Sequence, residues 1–286
     1  MRVRFWGVRG SIASAGPETA QVGGNTSCVE VRVGADDGGG AETLIILDAG
    51  TGLRRLGESL TGPVAAHLFL SHLHWDHIQG FPFFGPAYAP GNRLRLYVPE
   101  RCAAAGDVRA ALDAQMRAPH FPVGLDAMRA ELSFGAVAAG ARLTVGAATV
   151  QAAAACHPNG CLAYRVDAGG RSVVYATDTE HDASGRLDRS LVELARGADV
   201  LIYDAQYTVD EYAHKRGWGH STAEEGARLA EAAGVGQLVL YHHDPTHDDW
   251  QIARIEAATR GRFAATVAAR EGLTLTLDPR TARSAA

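Results

Sequence analysis

The chain is short of several things, and each shortage argues against a class of protein. Only four of its 286 residues are cysteine (Cys28, Cys102, Cys156 and Cys161), and no two form a C-x-x-C pair. That argues against a disulfide framework and against a cysteine-rich structural zinc site. Cys156 and Cys161 flank His157 and a bridge there is conceivable, but reduced thiols in a cytoplasmic protein are the expectation. No apolar run is long enough to cross a bilayer, and "MRVRFWGVRGSIAS" at the start has no continuous apolar stretch of signal-peptide length. No membrane partner is expected. There is no basic excess either: the formal net charge is -5, and the dense cationic spots, "RVRFWGVR" and "LRRLG", are short. Nucleic-acid binders usually carry a basic surplus or stripe, so nucleic acid is not the expected partner. Prolines are few beside 33 glycines, and no Pro- or Ser-rich linker divides the chain.

What is present is ordinary for a globular protein, with 47% hydrophobic and 21% charged residues and length enough for a sizeable core. Short β-rich runs lie near 2–8, 27–33, 43–48, 66–71 and 93–98. A second series lies near 148–155, 162–167, 172–177, 199–204, 237–242 and 272–277. Several are almost wholly apolar, as strands buried on both faces are. Helical patterns fall between them: "TGLRRLGESL", "LDRSLVELARG" ending at Gly197, "STAEEGARLAEAAG", and residues 248–270. In the third, Ser221 and Glu224 have capping-box spacing and Gly234 closes the helix. The alternation predicts one layered α/β domain over residues 1–278 with a disordered tail at 279–286. Residues 35–42 read as a flexible hairpin loop. Residues 101–135 fit neither series and read as a helical insertion, a candidate lid.

The densest chemistry is "SHLHWDHIQG", residues 71–80, where His72, His74, Asp76 and His77 fall within six positions at the end of the apolar strand "HLFLS". A lone histidine is usually solvated or hydrogen-bonded, and His67 inside the strand is read that way. Three imidazoles and a carboxylate at one strand end are a metal-ligand set. His72 and His74, two apart, project the same way from an extended backbone. Strand ends are also where ligands collect in α/β sheets. This donor chemistry suits zinc and related transition ions.

"HLHWDH" resembles the H-x-H-x-D-H signature of the metallo-β-lactamase superfamily. "LDAGTGLRRLG" is similar to the strand-to-helix turn that precedes that signature. "GVRGSI…GGNTSCVEV" resembles the N-terminal hairpin of the phosphodiesterase branch, near ribonuclease Z and the small cyclic-phosphate phosphodiesterases. The resemblance covers most of the chain and implies a four-layer αββα sandwich. It also implies two divalent ions, zinc first, with manganese or iron as alternatives. His157 in "AAAACHPNG" matches the third histidine of the first metal. Asp178 in "SVVYATDTE" matches the bridging aspartate. "LVLYHHDP" offers His242 and His243, and the family pattern with Pro245 in register favours His242; His243 and His247 are then exposed or supporting. The implied model gives one ion His72, His74 and His157, and the other Asp76, His77 and His242, with Asp178 between them. A water on the ions would ionise near a pKa of about 7 and serve as nucleophilic hydroxide. Asp76 would orient that water or take its proton.

"GWGHSTAEEG" resembles an H-S-T element of the ribonuclease Z branch, in which the histidine donates a proton to the leaving group. By that resemblance His220 would carry the role here, since an alkoxide leaving group needs a proton. Asp204 in "LIYDAQYT" either orients a histidine or caps its own turn. Asp48 is read as structural, a partner of the ligand loop, and Asn25 either lies near the site or stabilises a turn.

The resemblance therefore implies a dinuclear-metal hydrolase, first of all a phosphodiesterase for a small cyclic nucleotide or cyclic phosphate. A tRNA-processing endoribonuclease is the nearest rival. The tRNA-binding arm of that family commonly lies between the third histidine and the bridging aspartate; here only 20 residues separate His157 from Asp178. A β-lactam, lactone or thioester hydrolase and a nucleotide sensor without turnover are further rivals. A flavodiiron role would need Glu where His74 stands. A homodimer is expected, since this branch often forms one.

Overall fold

The β-rich runs pair into two sheets that share one buried interior. The computed structural model describes residues 1–34, 42–102, 107–181 and 184–279; the expected loop at 35–42 and tail at 279–286 lie outside them except for residues 42 and 279. The first half supplies β1 (Arg2–Gly7), β2 (Cys28–Val33), β3 (Thr43–Leu47), β4 (Ala65–Phe69), β5 (Arg93–Pro99) and β6 (Glu131–Val137). The second supplies β7 (Arg142–Val145), β8 (Ala148–Ala155), β9 (Cys161–Ala168), β10 (Arg171–Ala176), β11 (Val200–Asp204), β12 (Gln237–Tyr241) and β13 (Thr266–Ala268), and β14 (Thr274–Thr276) returns to pair with β1. Among the described residues the sheet orders are β14-β1-β2-β3-β4-β5-β6 and β13-β12-β11-β10-β9-β8-β7. From β3 to β6, and from β10 to β13, neighbouring strands are parallel.

The helices are α1 (Gly52–Ser59), α2 (Trp75–Ile78), α3 (Val108–Asp113), α4 (Arg189–Ala195), α5 (Val209–Tyr212), α6 (Ala223–Ala233) and α7 (Asp249–Arg260). Residues such as Phe5, Ile45, Tyr164, Val173, Ile202 and Tyr241 fill the space between the sheets. Leu53 and Leu56 of α1 pack against the outer face of the first sheet, and Leu191, Ala227 and Ala230 of α4 and α6 against that of the second. The result is a four-layer αββα sandwich. Strands between two apolar layers must be apolar on both faces, which is why β3 reads Thr-Leu-Ile-Ile-Leu and is wholly buried.

Some boundaries differ from the sequence reading. The helix expected over 248–270 stops at Arg260, and Thr266–Ala268 pair with β12 as an edge strand, so sheet pairing overrides the alanine-rich composition. Residues 131–135, read with the helical insertion, belong to β6. Before them, Leu112, Met116, Leu125 and Met128 are buried against the first sheet. The cap of α6 sits one residue later than expected: Thr222 accepts from the Glu225 N–H, because Ser221 is bonded to His181 and Tyr203. None of the four cysteines is in a disulfide. Among the described residues, no helix is long and apolar enough to cross a membrane.

Candidate metal centre

The C-terminal ends of the parallel strands of both sheets converge on one spot. β4 delivers Ser71, His72 and His74, and α2 at once turns Asp76 and His77 inward while leaving Trp75 outside. His157 follows β8, Asp178 follows β10, Asp204 ends β11 and His242 follows β12. Five non-glycine residues have positive φ among the described residues: Ser11, Asp48, Asn159, Asp178 and His242. Each belongs to the site or bonds a residue that does. Such backbone costs about 1–3 kcal/mol per residue and persists only where the surroundings enforce it.

Two groups of ligand atoms form, each with all atoms within 4.8 Å of one another: His72, His74 and His157, and Asp76, His77, Asp178 and His242. In the first, His74 Nδ1 and His157 Nε2 lie 3.1 Å apart. In the second, Nε2 of His77 and of His242 lie 3.2 Å apart. Each is 3.2 Å from Asp178 Oδ1, and 3.1 and 3.2 Å, respectively, from Asp76 Oδ2. Asp178 reaches the first group through its other oxygen, 3.6 Å from His72 Nε2 and 3.7 Å from His157 Nε2.

The outward ring nitrogens fix the tautomers. Nδ1–H of His77 donates to Asp48 Oδ2 at 2.7 Å, that of His242 to Gln206 Oε1 at 2.9 Å, and that of His157 to the Gly219 carbonyl at 2.8 Å. His72 Nδ1 is 3.0 Å from the Ser71 hydroxyl, which itself donates to Asp48. With those protons pointing outward, the inward Nε2 atoms present bare lone pairs to each other. His72 Nε2 is buried with no hydrogen-bond partner. Buried lone pairs facing lone pairs and carboxylates are stable only around a cation, and two neutral-imidazole and carboxylate sets fit divalent ions.

A third group, Asp178, Asp204, His220 and His242, also lies within 4.8 Å. His220 donates from Nδ1 to Asp204 Oδ2 at 2.9 Å, and its ring lies 5.0 Å from that of His242 and 5.2 Å from that of His157. Burial alone would depress this imidazole, but the charge and hydrogen bond of Asp204, with Asp178 and Asp76 behind, lift it to about 9. Asp204 also accepts from the Thr179 and Gln206 N–H groups, so it both orients the histidine and fastens its own turn.

Every residue singled out for the site in the sequence thus comes together. Those set aside do not join the clusters. Asn25 is held by Glu271, and His67 Nδ1 lies 3.2 Å from the Tyr97 hydroxyl. His243 and His247 are buried rather than exposed, against the Ala269 carbonyl and Glu211. Sequence reasoning missed Gln206, the Gly219 carbonyl, and Ser11, whose N–H donates to Asp76 Oδ2 at 2.8 Å. All three lie inside stretches already quoted, "LIYDAQYT", "GWGHSTAEEG" and "GVRGSI", but none is a residue those stretches single out.

A family model described as "Beta-lactamase superfamily domain" matches residues 43–243. Among curated proteins, a ribonuclease Z of Haloarcula marismortui is 25% identical, covering 85% of this chain and 86% of its own. A ribonuclease Z of Brevibacillus brevis is 39% identical over a stretch that covers 28% of this chain and only 23% of that protein. Among solved structures, the metallo-β-lactamase fold protein YhfI of Bacillus subtilis superposes with a TM-score of 0.70 at 20% identity, covering 96% of this chain and 98% of that one. A diphosphatase from the PhnP family superposes with a TM-score of 0.68 at 20% identity, covering 97% and 98%.

Proposed function

The chain belongs to the β-lactamase superfamily as a metal-dependent hydrolase, and from that membership we propose that it is a phosphodiesterase for a small cyclic nucleotide or cyclic phosphate. His72, His74 and His157 would hold one divalent ion, zinc first, and Asp76, His77 and His242 another, with Asp178 available to both. Such ions polarise a phosphoryl oxygen and acidify a water. The chain's own groups do the rest. Asp76 Oδ2, steadied by the Ser11 N–H, orients that water and takes its proton. His220, protonated and held through Nδ1 by Asp204, offers its Nε2–H to the departing oxygen.

The observation that carries this reading is the His220–Asp204 pair beside the two ligand groups. An alkoxide leaving group needs a proton, whereas the thiolate expelled from a thioester leaves without one and gives such a pair less to do. The full donor set disfavours a sensor without turnover. A ribonuclease is the second reading, favoured by the extent of the Haloarcula alignment. Against it, the residues between His157 and Asp178 are spent on the β9–β10 hairpin, with register pair Arg171↔Ala168 at its turn.

The test is a panel of bis-p-nitrophenyl phosphate, cyclic mononucleotides, cyclic dinucleotides, precursor tRNA and a β-lactam, each with zinc, manganese and iron. Turnover of small phosphodiesters is expected. Turnover of precursor tRNA alone would select the second reading, and turnover of the β-lactam alone would sink both.

A further inference from the structure

Single exposed apolar side chains are ordinary on a protein surface, so those of interest are the ones that stand beside a site. Trp75 is 77% exposed, Trp218 62% and Ile12 61%. Each is covalently next to a residue of the site. Trp75 stands between His74 and Asp76. Trp218 precedes Gly219, whose carbonyl accepts from His157. Ile12 follows Ser11, whose N–H donates to Asp76. His157 links the two tryptophan-bearing segments, with Nε2 3.1 Å from His74 and Nδ1 2.8 Å from the Gly219 oxygen.

Beside Trp218 lies Lys215, the one lysine in the chain. Its Nζ is 5.7 Å from the centroid of Trp218 and 4.5 Å from that of Tyr207, and it pairs with Asp244 at 3.3 Å. Tyr207 in turn meets the His220 ring edge-on at 5.8 Å. Tyr207 is buried, so it joins His220 to the Lys215–Trp218 segment from beneath, and the exposed aromatic face there is that of Trp218. A cyclic phosphate without a base would leave both exposed indoles in water. A nucleobase would cover one or both, since every base has a π-face for stacking.

We propose that Trp75 and Trp218 form a base-binding rim, so that the phosphodiester cleaved here carries a nucleobase. This rests on the phosphodiesterase reading and narrows it to nucleotides.

The test compares two ligands with the same sugar and phosphate, adenosine monophosphate and ribose 5-phosphate, on the metal-loaded full chain. Binding is followed by calorimetry and tryptophan fluorescence. The nucleotide is expected to bind about ten-fold tighter or more, as stacking allows. The preference should shrink in Trp75→Ala and Trp218→Ala and vanish in the double variant, with ribose 5-phosphate affinity unchanged. Equal affinity for the two ligands, absence of binding by both, or a preference that survives the double variant overturns the proposal. So does a double variant whose only change is from dimer to monomer in sedimentation, which would assign the indoles to a second copy of the chain. Hydrolysis of bis-p-nitrophenyl phosphate, followed in parallel, separates the two readings. Activity without base preference sinks the rim alone, whereas inactivity with metal bound sinks the phosphodiesterase reading beneath it.

Discussion

His77 donates from Nδ1 to Asp48 Oδ2 at 2.7 Å, and both side chains are fully buried. The same carboxylate accepts from the Ser71 N–H, the Ser71 hydroxyl and the Tyr175 hydroxyl. Asp48 therefore holds the ligand loop from behind and fixes the tautomer that turns His77 Nε2 inward. It touches none of the reacting atoms.

Asp48→Asn keeps the shape but puts an amide where His77 needs an acceptor. The expected outcome is a metal affinity lower by about 10–100-fold, the usual cost of losing a ligand's outer partner. Competition with a zinc chelator measures it. An unchanged affinity would show that His77 is oriented by something else.

Gly219 has φ +87, and a Cβ there would lie 2.3 Å from His157 Nδ1 and 2.4 Å from Pro158 Cδ. Gly219→Ala should strain the backbone by about 1–3 kcal/mol and push His157 off its carbonyl anchor. Metal content is expected to fall from about two ions per chain towards one. Metal analysis after dialysis reads this directly, and two retained ions would refute it.

Thr222 accepts from the Glu225 N–H at the start of α6, the helix that follows His220. Thr222→Ala should cost about 1 kcal/mol of stability, the ordinary worth of such a cap. The midpoint of urea denaturation is the measurement, with the slope unchanged. A midpoint equal to the parent's would place the cap elsewhere.

How much of this was legible beforehand follows from where the information lies. The two clusters were readable because metal chemistry demands residue types as well as positions: His72, His74, Asp76 and His77 are dense in sequence, and His157, Asp178 and His242 each follow a strand. The layered fold was readable because β3 and β12 are apolar on both faces. The supports were not. Gln206 and the Gly219 carbonyl act through distances that only the folded chain creates. The cap of α6 was displaced because Ser221 finds partners in His181 and Tyr203, tertiary contacts that local spacing does not encode. β13 was hidden for the same reason: Thr266 and Val267 are a strand only because β12 lies beside them.

His220 gives the sharpest test of mechanism, because two variants separate its roles. In the proposed reaction it acts as an acid, so activity requires its protonated form. Asp204 favours that form by charge and hydrogen bond, and lifts the imidazole from its ordinary value towards about 9. Activity should therefore be lost as pH rises through the lifted value. Asp204→Asn removes the charge, so the proton leaves earlier and the basic limb of the kcat/KM profile moves to lower pH. A shift upward, or none, would deny the pairing its role. His220→Ala should lose about 10²–10⁴-fold of phosphodiester hydrolysis, the usual worth of general acid help, while retaining its metal. Retention matters because Asp178, Asp204, His220 and His242 also lie close enough to share an ion. Loss of metal from His220→Ala would make His220 a ligand and leave the proton to come from elsewhere.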